Sequence, residues 1–432
     1  GYIDINEDGK PDLVLAGQTN SEGLEVSPDR KDLFVEVDAM TGRVPDLSAL
    51  PFAELVFSTV PAALVNNPDG LPSIALHAIL DDTALPLIPF DATPTEGRWP
   101  EFDALKQLFF GSAAERTDPN WLPYGRDAKA LVYRYAIFAD TYDGASSSGL
   151  SELAFKALPD NEFLGLGGSD FMVTLGSWYD ATGAIPGKSW DPTYALDLQA
   201  GTFMHELGHT LGLFHGGDQE DLAGGFNYKP NYHSVMNYLW QMPAAWMYED
   251  ANGDGVQNGS ERDINRNSVF GDSTWALDYS NSEYNTLDES NLDETAGIGG
   301  QAGDWAVAGP RVAGKIRVVL ESGHVDWSRG DANGDGIRDN DTGVDVNIQP
   351  YGDVVTGQVL RGYQDWSHLR FNFRELPNFS AGAHGTELPD EIDLETAAAL
   401  EAFGEGPGFF QFSQTNSYVV DARMALKDLS IV

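Results

Sequence analysis

Cysteine is absent from all 432 residues of the chain. That excludes a disulfide framework, a thiol nucleophile and a thiolate metal site, so any metal must be held by His, Asp, Glu, carbonyl oxygens or water. Cations are scarce: 25 Lys and Arg stand against 67 Asp and Glu, a formal net charge of -42. Such a charge repels nucleic-acid phosphates and anionic lipid surfaces, so no nucleic-acid partner is expected. Long apolar runs are missing too. None approaches the roughly 20 residues that span a bilayer, and the stretch from Leu50 to Val65 is broken by Pro51, Glu54 and Pro61. A soluble protein without membrane insertion is expected. No basic-then-apolar leader opens the chain at Gly1, which reads as a mature or trimmed form.

What is there points to a folded protein that collects cations. The hydrophobic fraction is 42%, enough for real cores in one large or two to three ordinary domains. The surplus of carboxylates suits hard cations such as calcium, or a salty environment in which screening relieves self-repulsion.

The first part of the chain alternates strand and helix signals. DLFVEVD (32–38) places Leu33, Val35 and Val37 against polar neighbours, a strand pattern. Residues 45–64 have helical spacing of apolar side chains, and SIALHAILDD (73–82) returns to strand. After an irregular stretch, KALVYRYAIFAD (129–140) and SDFMVTLGSW (169–178) are further strand candidates. From Asp191 the pattern becomes helical through the segment FMHELGHTLGLFHGG, with Pro192 near the start and glycines at the end. Beyond Trp240 the chain is rich in Asn, Asp, Gly and Ser to about residue 295. A last helix is expected at LPDEIDLETAAALEAF (388–403).

Three of the eight histidines fall within residues 205–215. Residues four apart on a helix lie nearly above one another, so His205 and His209 can offer two imidazoles to one ion. Glu206 sits one step round, able to reach a metal-bound water without being a ligand; this is the logic of HExxH. Gly212 lets the helix end and the chain swing, and His215 follows as a third nitrogen ligand, leaving the fourth zinc position for water. With 8 His and 47 Gly in 432 residues, HExxH arises by chance about one time in a hundred; the added Gly and His lower that to the order of one in a hundred thousand. His77 and His233 read as structural.

HELGHTLGLFH matches HExxHxxGxxH and resembles the signature of the metzincin clan of zinc endopeptidases. SVMNY (234–238) looks like that clan's methionine turn. The resemblance implies that Met236 lies beneath the metal as an apolar base, and that Tyr238, as in astacin-like and serralysin-like members, approaches the zinc and steadies the oxyanion. It also implies that SDFMVTLG is the edge strand receiving an extended substrate. The stretch from residue 32 to 280 is similar to secreted bacterial and archaeal metzincins. Gly216, after the third histidine, departs from the Asp, Ser, Glu or Pro of the best-known branches and leaves the subfamily open.

Three acidic loops fit calcium. EDANGDGVQNGSERD places Asp250, Asn252, Asp254, the Val256 carbonyl and Glu261 at alternating ligand positions of a twelve-residue loop, with Gly255 at the sharp turn. Asp331, Asn333, Asp335 and Asp339 make a similar loop without the terminal glutamate, and Asp4, Asn6, Asp8 and Asp12 a third. The plain alternative for each is an Asx-rich turn.

The expectation is thus an α+β fold: a metzincin-like domain with a twisted mixed sheet and an active-site helix above the cleft. An irregular lower part carries the methionine turn, and a C-terminal region carries a calcium loop. Boundaries are expected at 1–24 for an N-terminal calcium-type segment, 25–300 for the catalytic domain and 301–432 for the C-terminal region. The expected activity is a secreted, monomeric zinc endopeptidase acting on protein or peptide substrates, with catalytic Zn2+, structural Ca2+ and Glu206 as general base. Two alternatives stand beside it: an extracellular calcium-dependent binding or adhesion protein with a vestigial zinc site, and a zinc hydrolase acting on non-peptide bonds.

Overall fold

The computed structural model describes residues 1–90, 99–142, 147–153, 155–157, 163–165, 169–178, 193–217, 226–242, 277–293, 296, 298–299, 306–312, 315–320, 345–347, 355–371 and 391–393. They belong to two compact units, Gly1–Leu213 with Ser367–Leu394, and Phe214–Trp366 with Glu395–Val432.

In the first unit, β1 (Tyr2–Ile3) and β2 (Leu13–Val14) form an antiparallel pair. Then come β3 (Asp32–Ala39), α1 (Ala49–Ser58), α2 (Ala62–Val65), β4 (Ala75–Leu80), α3 (Pro100–Phe109), α4 (Ala113–Thr117), a π-helical turn (Trp121–Gly125) and α5 (Arg126–Ala130). They are followed by β5 (Tyr133–Phe138), β6 (Gly149–Ser151), the antiparallel pair β7 (Phe155–Ala157) and β8 (Phe163–Gly165), β9 (Asp170–Val173), a 3-10 turn (Leu175–Trp178) and α6 (Thr193–Thr210). The central sheet is mixed, with order β4-β3-β5-β9-β6; β6 alone among its strands runs antiparallel. The protein is α+β.

Both faces of this sheet are covered, and the two-residue period of each strand sorts side chains between them. One row holds Phe34, Tyr133, Tyr135, Ile137 and Met172, packed with Phe102, Phe110 and Trp121. The alternate row faces α6: the Phe138 and Phe171 rings lie 6.4 and 5.4 Å from the Phe203 ring, and Arg134 Nε donates to Thr210 Oγ1 at 2.8 Å. Burial on both faces means that the polar partners in DLFVEVD do not reach water. Glu36 and Asp38 are buried; Glu36 pairs with Lys129 and accepts from Gly111 N–H, and Asp38 accepts from Tyr135 Oη at 2.5 Å. Burial, partly offset by Lys129, pushes Glu36 up to about 7.

Three sequence expectations change here. The helix read at 45–64 is two helices, because Pro61 cannot donate a backbone N–H and restarts the turn as the residue before α2. The stretch read as irregular contains α3, with Pro100 at its first position and Phe102 and Leu105 buried. The edge strand is not SDFMVTLG: β9 lies inside the sheet, between β5 and β6, and among the described residues the edges are β4 and the short GLS strand β6. A fourth change concerns the helix expected at 388–403. Of that segment Glu391–Asp393 is described, and it is extended: Asp393 bridges Ser147 antiparallel, and the Ile392 carbonyl accepts from Ser148 N–H at 2.9 Å. Pairing and the burial of Ile392 outweigh the local helical preference.

In the second unit, β10 (Leu287–Asp288) pairs with β13 (Val359–Leu360), and β11 (Ala306–Val312) with β12 (Lys315–Leu320), both antiparallel. Asp365 organises its buried polar centre, accepting from Tyr232 Oη at 2.8 Å and Ser280 N–H at 2.9 Å. Among the described residues no helix is long and apolar enough to cross a membrane.

Candidate metal centre

Helix α6 turns Phe203 and Thr210 to the sheet, and it also carries His205, Glu206 and His209, all three buried. Its C-terminus is closed by a Schellman motif. Gly212, at φ +86°, supplies the left-handed residue, Gly212 N–H donates to the His209 carbonyl, and Leu213 N–H donates to the Gly208 carbonyl, each at 3.0 Å. That turn brings the Leu213 carbonyl to 2.9 Å from His209 Nδ1. A carbonyl only accepts, so Nδ1 carries the proton and Nε2 keeps its lone pair. Burial lowers the His209 pKa, which favours this neutral form.

The His205 and His209 Nε2 atoms face each other at 3.2 Å. Two nitrogens each about 2.05 Å from one tetrahedral ion stand about 3.3 Å apart, so the spacing fits two ligands of one metal. Glu391 completes this cluster within the unit: Oε2 is 3.0 Å from His205 Nε2 and Oε1 3.4 Å from His209 Nε2, with side chains at 1% or less exposure. The donor set, imidazole and carboxylate without sulfur, suits zinc.

Glu206 is fully buried, and among the described residues neither carboxylate oxygen has a hydrogen-bond partner. Burial and then the neighbouring Glu391 carboxylate push its pKa well above the ordinary carboxyl range. It fits because position 149 on β6 is glycine: a methyl group there would run into the Glu206 carboxylate and lie 2.7 Å from the Met172 carbonyl oxygen. A buried, unpartnered carboxylate one residue from a facing imidazole pair is the arrangement expected where a metal and its water belong.

No protein-family model matches the sequence. No curated protein matches it either. Among solved structures the chain is similar to metalloproteinase-II from Bacteroides fragilis, at 10% identity over 52% of this chain and 53% of that one, with a TM-score of 0.26. It is also similar to archaemetzincin from Methanopyrus kandleri, at 18% identity over 50% of this chain and 84% of that one, with a TM-score of 0.24. The chain therefore spans about half the length of the first of these.

The other expected site residues lie as follows. His215 belongs to the second unit, half-buried, with its ring 4.5 Å from that of Tyr238. SVMNY is a turn there, with Met236 and Tyr238 buried, Met236 N–H donating to Ser234 Oγ at 3.1 Å and Tyr238 N–H to Asn227 Oδ1 at 3.0 Å. His233 packs its ring against Trp240 and Tyr284, and burial lowers it to about 3. His77 is buried on β4, stacked on Phe34 and 2.9 Å from Asp32 Oδ1. Of the calcium-type loops, the one with Asp250, Asn252, Asp254, Val256 and Glu261 and the one with Asp331, Asn333, Asp335 and Asp339 lie outside the described residues. The N-terminal loop, with Asp4, Asn6, Asp8 and Asp12, is described. Its side chains accept backbone N–H groups: Asp4 from Asp8 and Gly9, Asn6 from Asp8, Asp8 from Lys10, and Asp12 from Ile5. Glu391 was missed in the sequence because 186 residues separate it from His205; no spacing rule reaches that far.

Proposed function

We propose that the chain is a zinc-dependent endopeptidase. The observation that carries this reading is the pairing of His205 and His209 Nε2 at a two-ligand spacing beside the buried, unpartnered carboxylate of Glu206. His205, His209 and, six residues beyond His209, His215 are its zinc ligands. Zinc bound there would lower the pKa of a water and polarise the scissile carbonyl. Glu206 takes the proton of the attacking water on its carboxylate and returns it to the leaving amine. Tyr238 Oη steadies the developing oxyanion, and Met236 shapes the turn that holds Tyr238. This follows the metzincin pattern that HELGHTLGLFH and SVMNY resemble. Protein or peptide is the substrate class, the chain works outside the cell, and calcium in the acidic loops ties long connections where cysteine is absent.

The test is cleavage of casein, with calcium present, by the wild type and by Glu206→Ala at matched folding and zinc content. The wild type is expected to cut and the variant to be slower by about 10²–10⁴-fold. Equal rates would remove Glu206 from the chemistry. Zinc bound without any cleavage would favour the binding-protein alternative.

A further inference from the structure

The segment Glu391–Asp393 reaches the histidine pair from far along the sequence and is held there in two ways. Its backbone is paired beside the entry to the edge strand β6: the Ile392 carbonyl accepts from Ser148 N–H at 2.9 Å, and Asp393 bridges Ser147 antiparallel. Its side chains are seated as well. Ile392 is buried, and the Glu391 carboxylate lies against both His205 and His209 Nε2. The same strand β6 places Gly149 against Glu206. The segment therefore occupies, as an extended peptide, the edge next to the proposed general base, and it directs an anionic oxygen ligand at the proposed metal.

We propose that Glu391–Asp393 is an inhibitory strap: Glu391 is a further ligand of the metal held by His205 and His209, and the paired backbone fills the place an extended substrate would take beside β6. This rests on the peptidase reading of the same site. A bound carboxylate at 3.0 and 3.4 Å from the two imidazoles takes the position that the attacking water needs. An extended segment adding to a sheet edge is also how such edges capture peptides. Release of the strap, by its displacement or by a cut in the chain, opens the position.

The experiment compares the full-length wild type with Glu391→Gln and with Ile392→Asp, which keeps the carboxylate but removes its buried anchor. Zinc affinity is read by competition with a chromogenic chelator, casein cleavage is read at zinc saturation, and thermal unfolding of the metal-free chains monitors folding. Glu391→Gln is expected to bind zinc at least about tenfold more weakly, the lower end of what even an outer-shell loss costs. Both variants are expected to cut casein about tenfold faster, the gain when a strap seated in about nine chains of ten is released. Unchanged affinity and rate in a wild type that cuts would overturn the strap and leave the peptidase reading standing. Weaker zinc binding with no gain in an active enzyme would make Glu391 a ligand but overturn its inhibitory role. Weaker zinc binding with no cleavage by any of the three chains would uphold the ligand and contradict both latency and the peptidase reading.

Discussion

At the scale of single residues, the site depends on the contact of Gly149 with Glu206. The glycine's backbone needs no unusual φ; what it provides is the absence of a side chain where the carboxylate and the Met172 carbonyl already stand. Gly149→Ala forces Glu206 aside while leaving His205 and His209 untouched. Zinc content should stay at the wild-type level and kcat should fall by about 10²-fold, the cost of misplacing a reacting group by about an ångström. Wild-type turnover in Gly149→Ala would mean that Glu206 has room the structure does not show. His205, Glu206, His209 and Gly212 could be named from spacing alone, because a helix turns local sequence into shared direction. Gly149 and Glu391 could not: each meets Glu206 or the histidines only through sheet pairing across long separations.

At the scale of elements, α6 ends where its residues require. The Schellman turn at Gly212 both stops the helix and aims the Leu213 carbonyl at His209 Nδ1. Gly212→Ala must place a Cβ at φ +86°, at a cost of roughly 1–2 kcal/mol. The variant should unfold at lower temperature and also lose zinc more readily to a chelator than the wild type, since an orienting hydrogen bond to His209 is disturbed. A thermal shift with unchanged zinc affinity would separate the helix end from the metal site. The strands at 32–39, 75–80, 133–138 and 170–173 were legible in the sequence because each is a run of apolar or alternating residues. The edge strand β6 was not, since three residues hold no period. The 388–403 segment misled for the opposite reason: its composition favours helix, while Glu391–Asp393 gain more from pairing with Ser147 and Ser148.

At the scale of the whole molecule, charge and cysteine usage set the terms. With a formal charge of -42 and no cysteine, the chain attracts cations and offers them carboxylates and imidazoles but no thiolates. The proposed cation is zinc, held by the histidines of HELGHTLGLFH, and X-ray absorption at the zinc edge of the zinc-loaded full-length chain reads its ligands. One zinc per chain is expected in a nitrogen and oxygen shell at about 2.0–2.1 Å with the multiple scattering of several imidazoles, and no sulfur; His209→Ala should lose the metal. A shell of oxygen ligands alone, or zinc retained unchanged in His209→Ala, would contradict it.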